Sequence, residues 1–222
     1  MIRTRAVRLI LWLLAGSLPL AAQPRAFAGG SVGISTLSGD ATSVISGGAA
    51  RISQYKPENG PVFDGFAGAH LGDYLSVQGA VIWNRNRLGL LSAAGEAFYD
   101  QERTSRQIAG SIDGLLYFRN RASWVRPYLA IGLAVVHFSS EVEALRASTG
   151  SPPPPPSNSF SSTGPGLRAA AGIDLRLGGG WYLRYNFMET IQKTNPISAQ
   201  LDPVGQRRLA HFQNMFGFVR YF

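Results

Sequence analysis

Hydrophobic and polar residues alternate one by one in short segments along most of the chain. In residues 75–83, for example, Leu75, Val77 and Val81 share one parity, and the positions between them are small or polar. Neighbouring side chains of a β-strand point to opposite faces, so this pattern predicts a strand with one apolar face and one polar face. Eight segments show it: residues 31–36, 62–71, 75–83, 107–118, 127–135, 167–177, 181–187 and 211–222.

The connections between these segments alternate in length. Those at residues 72–74, 119–123 and 178–180 are short, whereas those at residues 39–60, 84–105, 139–162 and 190–208 are long and polar or rich in glycine and proline. Short turns join antiparallel neighbours, and an even number of strands puts both chain ends on one side. We therefore predict an all-β fold, an eight-stranded antiparallel transmembrane β-barrel with short periplasmic turns and four long extracellular loops.

Several charged residues lie on the polar faces of the predicted strands. A charge on the lipid side of a spanning strand costs roughly 2–4 kcal/mol at mid-depth, so these side chains are expected to point into the barrel and form a polar network. The interior of an eight-stranded barrel is just wide enough for side chains to fill it. This favours a salt-bridged plug, with a narrow passive channel as the alternative. The residues are Asp113, Arg168, Asp174, Arg176 and Arg184.

The first 28 residues have the pattern of a secretory signal peptide. Arg3, Arg5 and Arg8 precede a short apolar run at residues 9–18, and small residues follow. The run is too short to cross a bilayer as a helix. We expect cleavage after Ala28, with an earlier candidate site at residues 21–23. This divides the chain into a signal peptide, residues 1–28, and an outer-membrane β-barrel, residues 29–222.

Composition and charge add limits on partners. The full chain has a net charge of +8, but removal of the signal segment leaves 17 basic side chains against 13 acidic ones, a net charge of +4. The excess is spread along the chain with no basic run, so nucleic acid is not an expected partner. The mean hydropathy of +0.01 is typical of strands with one lipid face and one polar face. The chain contains no cysteine.

The last predicted strand has aromatic residues on one face, and its final residue is also aromatic. Phe216, Phe218 and Phe222 share a parity with Phe212, opposite Gln213, Gly217 and Tyr221. This segment resembles the C-terminal aromatic signal of bacterial outer-membrane β-barrels, which the barrel-assembly machinery reads. That resemblance makes the assembly machinery an expected partner through Phe216, Phe218 and Phe222.

The chain as a whole resembles small eight-stranded outer-membrane β-barrel proteins of the OmpA-like transmembrane type. The resemblance implies a non-enzymatic protein of the cell outer membrane, with a structural or surface-interaction role carried by its four extracellular loops. It also implies contact with outer-membrane lipid and lipopolysaccharide, a monomeric state and no cofactor. The sequence does not identify an extracellular ligand. His70 and His211 have no partners at metal-ligand spacing, so no metal site is expected.

One motif offers a catalytic alternative. Some barrels of this size are lipid A deacylases with a His-x-Ser pair on the lipid face near the extracellular rim, and His137 and Ser139 resemble that pair. Glu141 and Glu143 share their parity and could orient the imidazole. The resemblance is partial, because that family places its pair on a later strand and follows it with Asn, whereas Ser140 follows here.

The proline run at residues 152–156 is expected to be a stiff extracellular spur rather than a recognition site.

Overall fold

The computed structural model describes residues 26–37, 41–45, 51–94, 96–148, 158–197 and 208–222. Within these residues no helix has the length and apolar character needed to cross a membrane. Ten strands form the described chain: β1 (Ala26–Leu37), β2 (Ala41–Ile45), β3 (Arg51–Pro57), β4 (Gly60–His70), β5 (Leu75–Ala94), β6 (Ala97–Tyr117), β7 (Val125–Ala147), β8 (Ser159–Gly178), β9 (Trp181–Gln192) and β10 (Leu209–Tyr221).

Eight of these strands close into a ring. Their order is β5-β4-β1-β10-β9-β8-β7-β6, all neighbours are antiparallel, and β6 pairs back onto β5. The chain ends meet where β1 pairs with β10, and the amide of Phe222 donates a hydrogen bond to the carbonyl of Ala26 at 2.9 Å. Closure leaves the ring without a free edge. The predicted eight-stranded antiparallel barrel is therefore confirmed.

Three of the predicted loops consist largely of strands. In the third, residues 139–162, β7 continues to Ala147 and β8 begins at Ser159. The first long connection includes the hairpin β2–β3, and β3 pairs with residues 88–94 of β5 beyond the point where β4 ends its pairing at Asn84. The second, residues 84–105, is no loop, because β5 and β6 stay paired as far as Ala94 and Ala97. These residues are polar because this part of the sheet lies beyond the apolar belt, where the outward face meets water. Leu88 and Leu90 have the same parity as the other inward residues of β5 and are buried.

The outward face of the ring is an apolar belt. On β7, Leu129, Ile131, Leu133 and Val135 are all exposed, as the alternation predicted. The short turns lie at the end of the belt that the prediction makes periplasmic, called the periplasmic end below, and Trp124 there is 74% exposed. From Leu75 to Trp83 the belt runs about 26 Å along β5, which a strand tilt of about 40° reduces to about 20 Å of height, somewhat less than the ~25 Å apolar band of outer-membrane barrels.

The predicted boundary of the signal peptide overlaps β1. Ala26, Phe27 and Ala28 belong to this strand, and the Phe27 side chain is buried inside the barrel. Residues 1–25 and the proline run at residues 152–156 lie outside the described residues, so the signal peptide and the stiff spur stay predictions.

Candidate functional site

The interior of the barrel is held by a two-point ion pair between neighbouring strands. Asp174 on β8 and Arg184 on β9 are register partners whose side chains both point inward and are fully buried. Arg184 Nε donates to Asp174 Oδ1 at 2.7 Å, and Nη2 donates to Oδ2 at 2.8 Å. Paired, bidentate geometry is what allows two charges to leave water, since a lone buried charge is strongly unfavourable.

Other strands of the ring complete the hydrogen bonding of this pair. Arg184 Nη1 donates to Gln78 on β5 at 2.8 Å. The hydroxyls of Tyr117 on β6 and Tyr221 on β10 donate to Asp174 Oδ2 at 3.0 and 2.7 Å. The pair therefore links five strands of the ring, β5, β6, β8, β9 and β10, across the lumen.

A second cation, Arg126, closes the periplasmic end. Arg126 is fully buried, donates from Nη1 to the Tyr221 hydroxyl at 3.0 Å, and lies with its guanidinium carbon 3.8 Å from the centre of the Tyr117 ring. The Tyr182 and Tyr221 rings stack with centroids 4.2 Å apart. Aromatic rings and guanidinium groups thus fill this end of the lumen.

A second ion pair lies further toward the outer end. Arg168 Nη1 is 3.2 Å from Asp113 Oδ2, and both side chains are buried. Arg168 also donates to the hydroxyl of Ser111. The cavity beside the pair measures about 10 Å³, which is room for one water molecule.

Apolar layers separate the polar ones. Along the inward face of β5 the order is Gln78 beside the Arg184 pair, Ile82, the amides Asn84 and Asn86, and then Leu88. Ile82 belongs to a cluster that we call the septum, and Leu88 to a cluster nearer the outside that we call the cap. The septum comprises Val62, Ile82, Ala109, Ala134, Val136, Met188 and Met215, and the cap Leu37, Leu88, Leu90, Phe138, Ile197 and Leu209.

The cap uses a residue from the fourth predicted loop. The Asn195 side chain accepts a hydrogen bond from the Ile197 amide at 3.0 Å, and its Nδ2 lies 3.5 Å from the Arg208 carbonyl. This turn directs Ile197 into the lumen, where it is completely buried. The outer mouth of the barrel is therefore covered by its own chain.

Beyond the apolar belt, Arg103 on β6 forms hydrogen bonds to β7 and to the residue before β8. Its Nε donates to the Ser140 hydroxyl at 3.0 Å, Nη1 donates to Gln101 at 2.7 Å, and Nη2 donates to the Asn158 carbonyl at 3.2 Å. Burial lowers the pKa of Arg103 to about 10, so the group stays charged at neutral pH.

The predicted interior charges do not all meet. Asp113, Arg168, Asp174 and Arg184 are buried in the lumen as two pairs, whereas Arg176 is exposed and lines the open mouth on the periplasmic side. The expectation that Arg176 joins the network is wrong because it lies only two residues from the β8–β9 turn, where water replaces lipid and lumen.

Two buried charged residues of the barrel strands were also missed by the sequence analysis. Asp64 on β4 is buried and accepts from the Ser31 hydroxyl at 3.5 Å, and Arg126 is buried one residue before the predicted start of its strand. The parity rule finds both, since Asp64 shares the inward parity of Val62 and Phe66, and Arg126 shares that of Tyr128.

The proposed assembly residues lie on the outside. Phe216, Phe218 and Phe222 are 58%, 55% and 70% exposed on the lipid face. Arg220, which departs from the apolar pattern, donates a hydrogen bond to the carbonyl of Gly179 in the β8–β9 turn. Its charge is thereby held at the periplasmic edge of the belt.

The residues of the catalytic alternative have other partners. His137 Nδ1 lies 2.8 Å from the hydroxyl of Thr163. Glu143 accepts a hydrogen bond from Thr104 and lies 3.6 Å from Arg85 Nη2. Among the described residues, no group of His, Cys, Asp and Glu is placed to hold a metal ion.

Comparisons with known proteins agree with this architecture. A family model of the outer membrane protein beta-barrel domain matches residues 9–205. The chain belongs to this family. It is therefore an outer-membrane β-barrel located in the cell outer membrane, and the exposed apolar belt is the surface that faces lipid in that setting.

Solved structures of outer-membrane proteins are similar to this chain. OprG of Pseudomonas aeruginosa is 12% identical with a TM-score of 0.54, over 90% of this chain and 98% of that chain. Neisserial surface protein A is 16% identical with a TM-score of 0.47, over 89% and 97%. Ail of Yersinia pestis is 12% identical with a TM-score of 0.45, over 90% and 100%. A search of curated proteins gives no match.

Proposed function

We propose that the protein is a closed, non-enzymatic barrel that anchors a surface-exposed β-sheet. The observation that carries this proposal is the layered lumen: the Arg184–Asp174 pair, the septum and the cap follow one another along β5. Hydrophobic constrictions exclude water and so block ions. A lumen filled in this way suits a scaffold better than a channel.

The strands that extend beyond the belt are the part of the barrel that can contact other molecules. Beyond the belt, β5, β6 and β7 continue together, with β3 and β2 added on the β5 side. We call this five-stranded extension the projection. Because Leu88 and Leu90 on the inner face of β5 belong to the cap, the base of the projection is packed against the barrel, and surface contacts fall to its outer face and to the loops.

Surface exposure of the projection is tested with short epitope insertions on intact cells. An epitope inserted after Glu96, between β5 and β6, should bind antibody without permeabilisation. A control epitope at residues 121–122, in the β6–β7 turn, should bind only after the outer membrane is opened. The opposite labelling would contradict the proposed orientation.

The non-enzymatic assignment is tested on lipid A itself. Mass spectrometry of lipid A from cells expressing the protein, beside a Ser139→Ala variant, should show the same acylation as cells with an empty vector. Loss of an acyl chain that depends on Ser139 would establish the esterase instead.

A further inference from the structure

The outer face of the barrel carries a row of hydrogen-bond donors just beyond the apolar belt. Arg85 on β5 stands opposite Arg106 on β6, Arg106 opposite Ser139 on β7, and Ser139 opposite Ser161 on β8. All four have the outward parity of their strands. We call this set the rim row.

The rim row lies where the belt ends. One row nearer the periplasm, Trp83 stands opposite Ile108, which is 51% exposed, and Trp83 packs on Phe63 with ring centroids 5.6 Å apart. Tryptophan at this position is typical of the boundary between hydrocarbon and headgroups. The rim row is therefore at the depth of the outer-leaflet headgroups.

The two arginines form an unfavourable arrangement unless an anion joins them. Like charges directly opposite on one sheet face destabilise an antiparallel pair. Glu143 lies 3.6 Å from Arg85, but Arg106 forms no ion pair within the described residues. Glu141 stands one row further out, opposite Thr104. The rim row thus presents two guanidinium groups and two hydroxyls, with one carboxylate shared at its edge.

We propose that the rim row binds the phosphate groups of lipopolysaccharide in the outer leaflet. Arginine is suited to phosphate because its planar fork donates two parallel hydrogen bonds, and hydroxyls at Ser139 and Ser161 add neutral donors. Ser139 would then serve as a contact to the glycolipid and not as a nucleophile. This inference rests on the proposed orientation but not on closure of the lumen.

The test measures binding of purified, folded protein in detergent micelles to bisphosphorylated lipid A and to its dephosphorylated form. The variant Arg85→Gln with Arg106→Gln should bind bisphosphorylated lipid A roughly tenfold more weakly. The original protein and this double variant should bind the dephosphorylated lipid equally. The matched control, Arg119→Gln with Arg176→Gln, removes two exposed arginines from the periplasmic end and should change neither affinity.

A second variant gives an effect of opposite sign. Glu143→Gln removes the carboxylate beside Arg85 and should tighten binding of bisphosphorylated lipid A. Unchanged affinity in the double rim variant, or an equal loss in the periplasmic control, would overturn the proposal. The heat-dependent gel shift of each variant shows that it is folded, and epitope labelling separately shows whether the orientation holds.

Discussion

The ring of Tyr128 lies against Gly172 on the inner face of the barrel. The two residues are register partners on β7 and β8, and a Cβ atom added to Gly172 would overlap the Tyr128 ring carbons and hydroxyl. Tyr128 is also buried and lies with its ring centre 5.0 Å from the Arg184 guanidinium carbon. Glycine at position 172 thus makes room for an aromatic residue of the plug.

Gly172→Ala should destabilise the barrel by about 1–3 kcal/mol, because overpacking forces the Tyr128 ring and its neighbours to shift. Urea unfolding followed by the heat-dependent gel shift measures the change. The control is Gly110→Ala, where an added Cβ meets open space on the outer face. Equal stability of the two variants would show that the Tyr128 contact does not limit packing.

Arg184→Met should destabilise the barrel by about 3–5 kcal/mol, because Asp174 is left buried with a charge that no partner balances. Adding Asp174→Leu to that variant should restore part of the loss, since no unpaired charge then remains, whereas Gln78, Tyr117 and Tyr221 lose their bonds to the pair. Unfolding of both variants in the same detergent gives the comparison. A double variant as unstable as the single one would contradict the ion-pair account.

The fold was predictable from period-two alternation because lipid imposes that period wherever a strand crosses the membrane. Outside the membrane the rule weakens, and β2, β3 and the outer parts of β5, β6 and β7 fall in segments predicted to be loops. Their polar outward residues, such as Arg87, meet water there and do not signal a turn.

Parity also placed four interior charges inside the lumen, but it could not pair them. The partnership of Asp174 with Arg184 depends on strand register, which the sequence does not give. The cap was hidden for a different reason, since Ile197 enters it from a loop with no periodicity.

The mature chain should begin before Ala26. Phe27 is buried, with its ring 5.0 Å from His70 and 5.8 Å from Tyr221 between centroids, so cleavage after Ala28 would remove an interior aromatic residue and three residues of β1. Mass spectrometry of the N-terminal peptide from purified outer membranes determines the site. A mature N-terminus at Gly29 would uphold the boundary that the small residues predict.

Phe222→Ala should reduce the yield of folded barrel in cells, if the terminal aromatic residue is read by the assembly machinery. The matched control is Phe118→Ala, which changes another exposed phenylalanine at the same edge of the belt, with 56% exposure against 70% for Phe222. Quantitative gel-shift analysis of outer membranes measures yield. Equal losses in both variants would assign Phe222 to lipid contact alone.

Closure of the lumen is tested most directly by planar-bilayer recording of the purified, folded protein. The septum, the cap and the Arg184–Asp174 pair predict a flat trace at moderate voltage, with no unitary steps above the protein-free membrane. Stable, reproducible unitary openings from the same folded preparation would show a continuous water path and contradict the closed-barrel account.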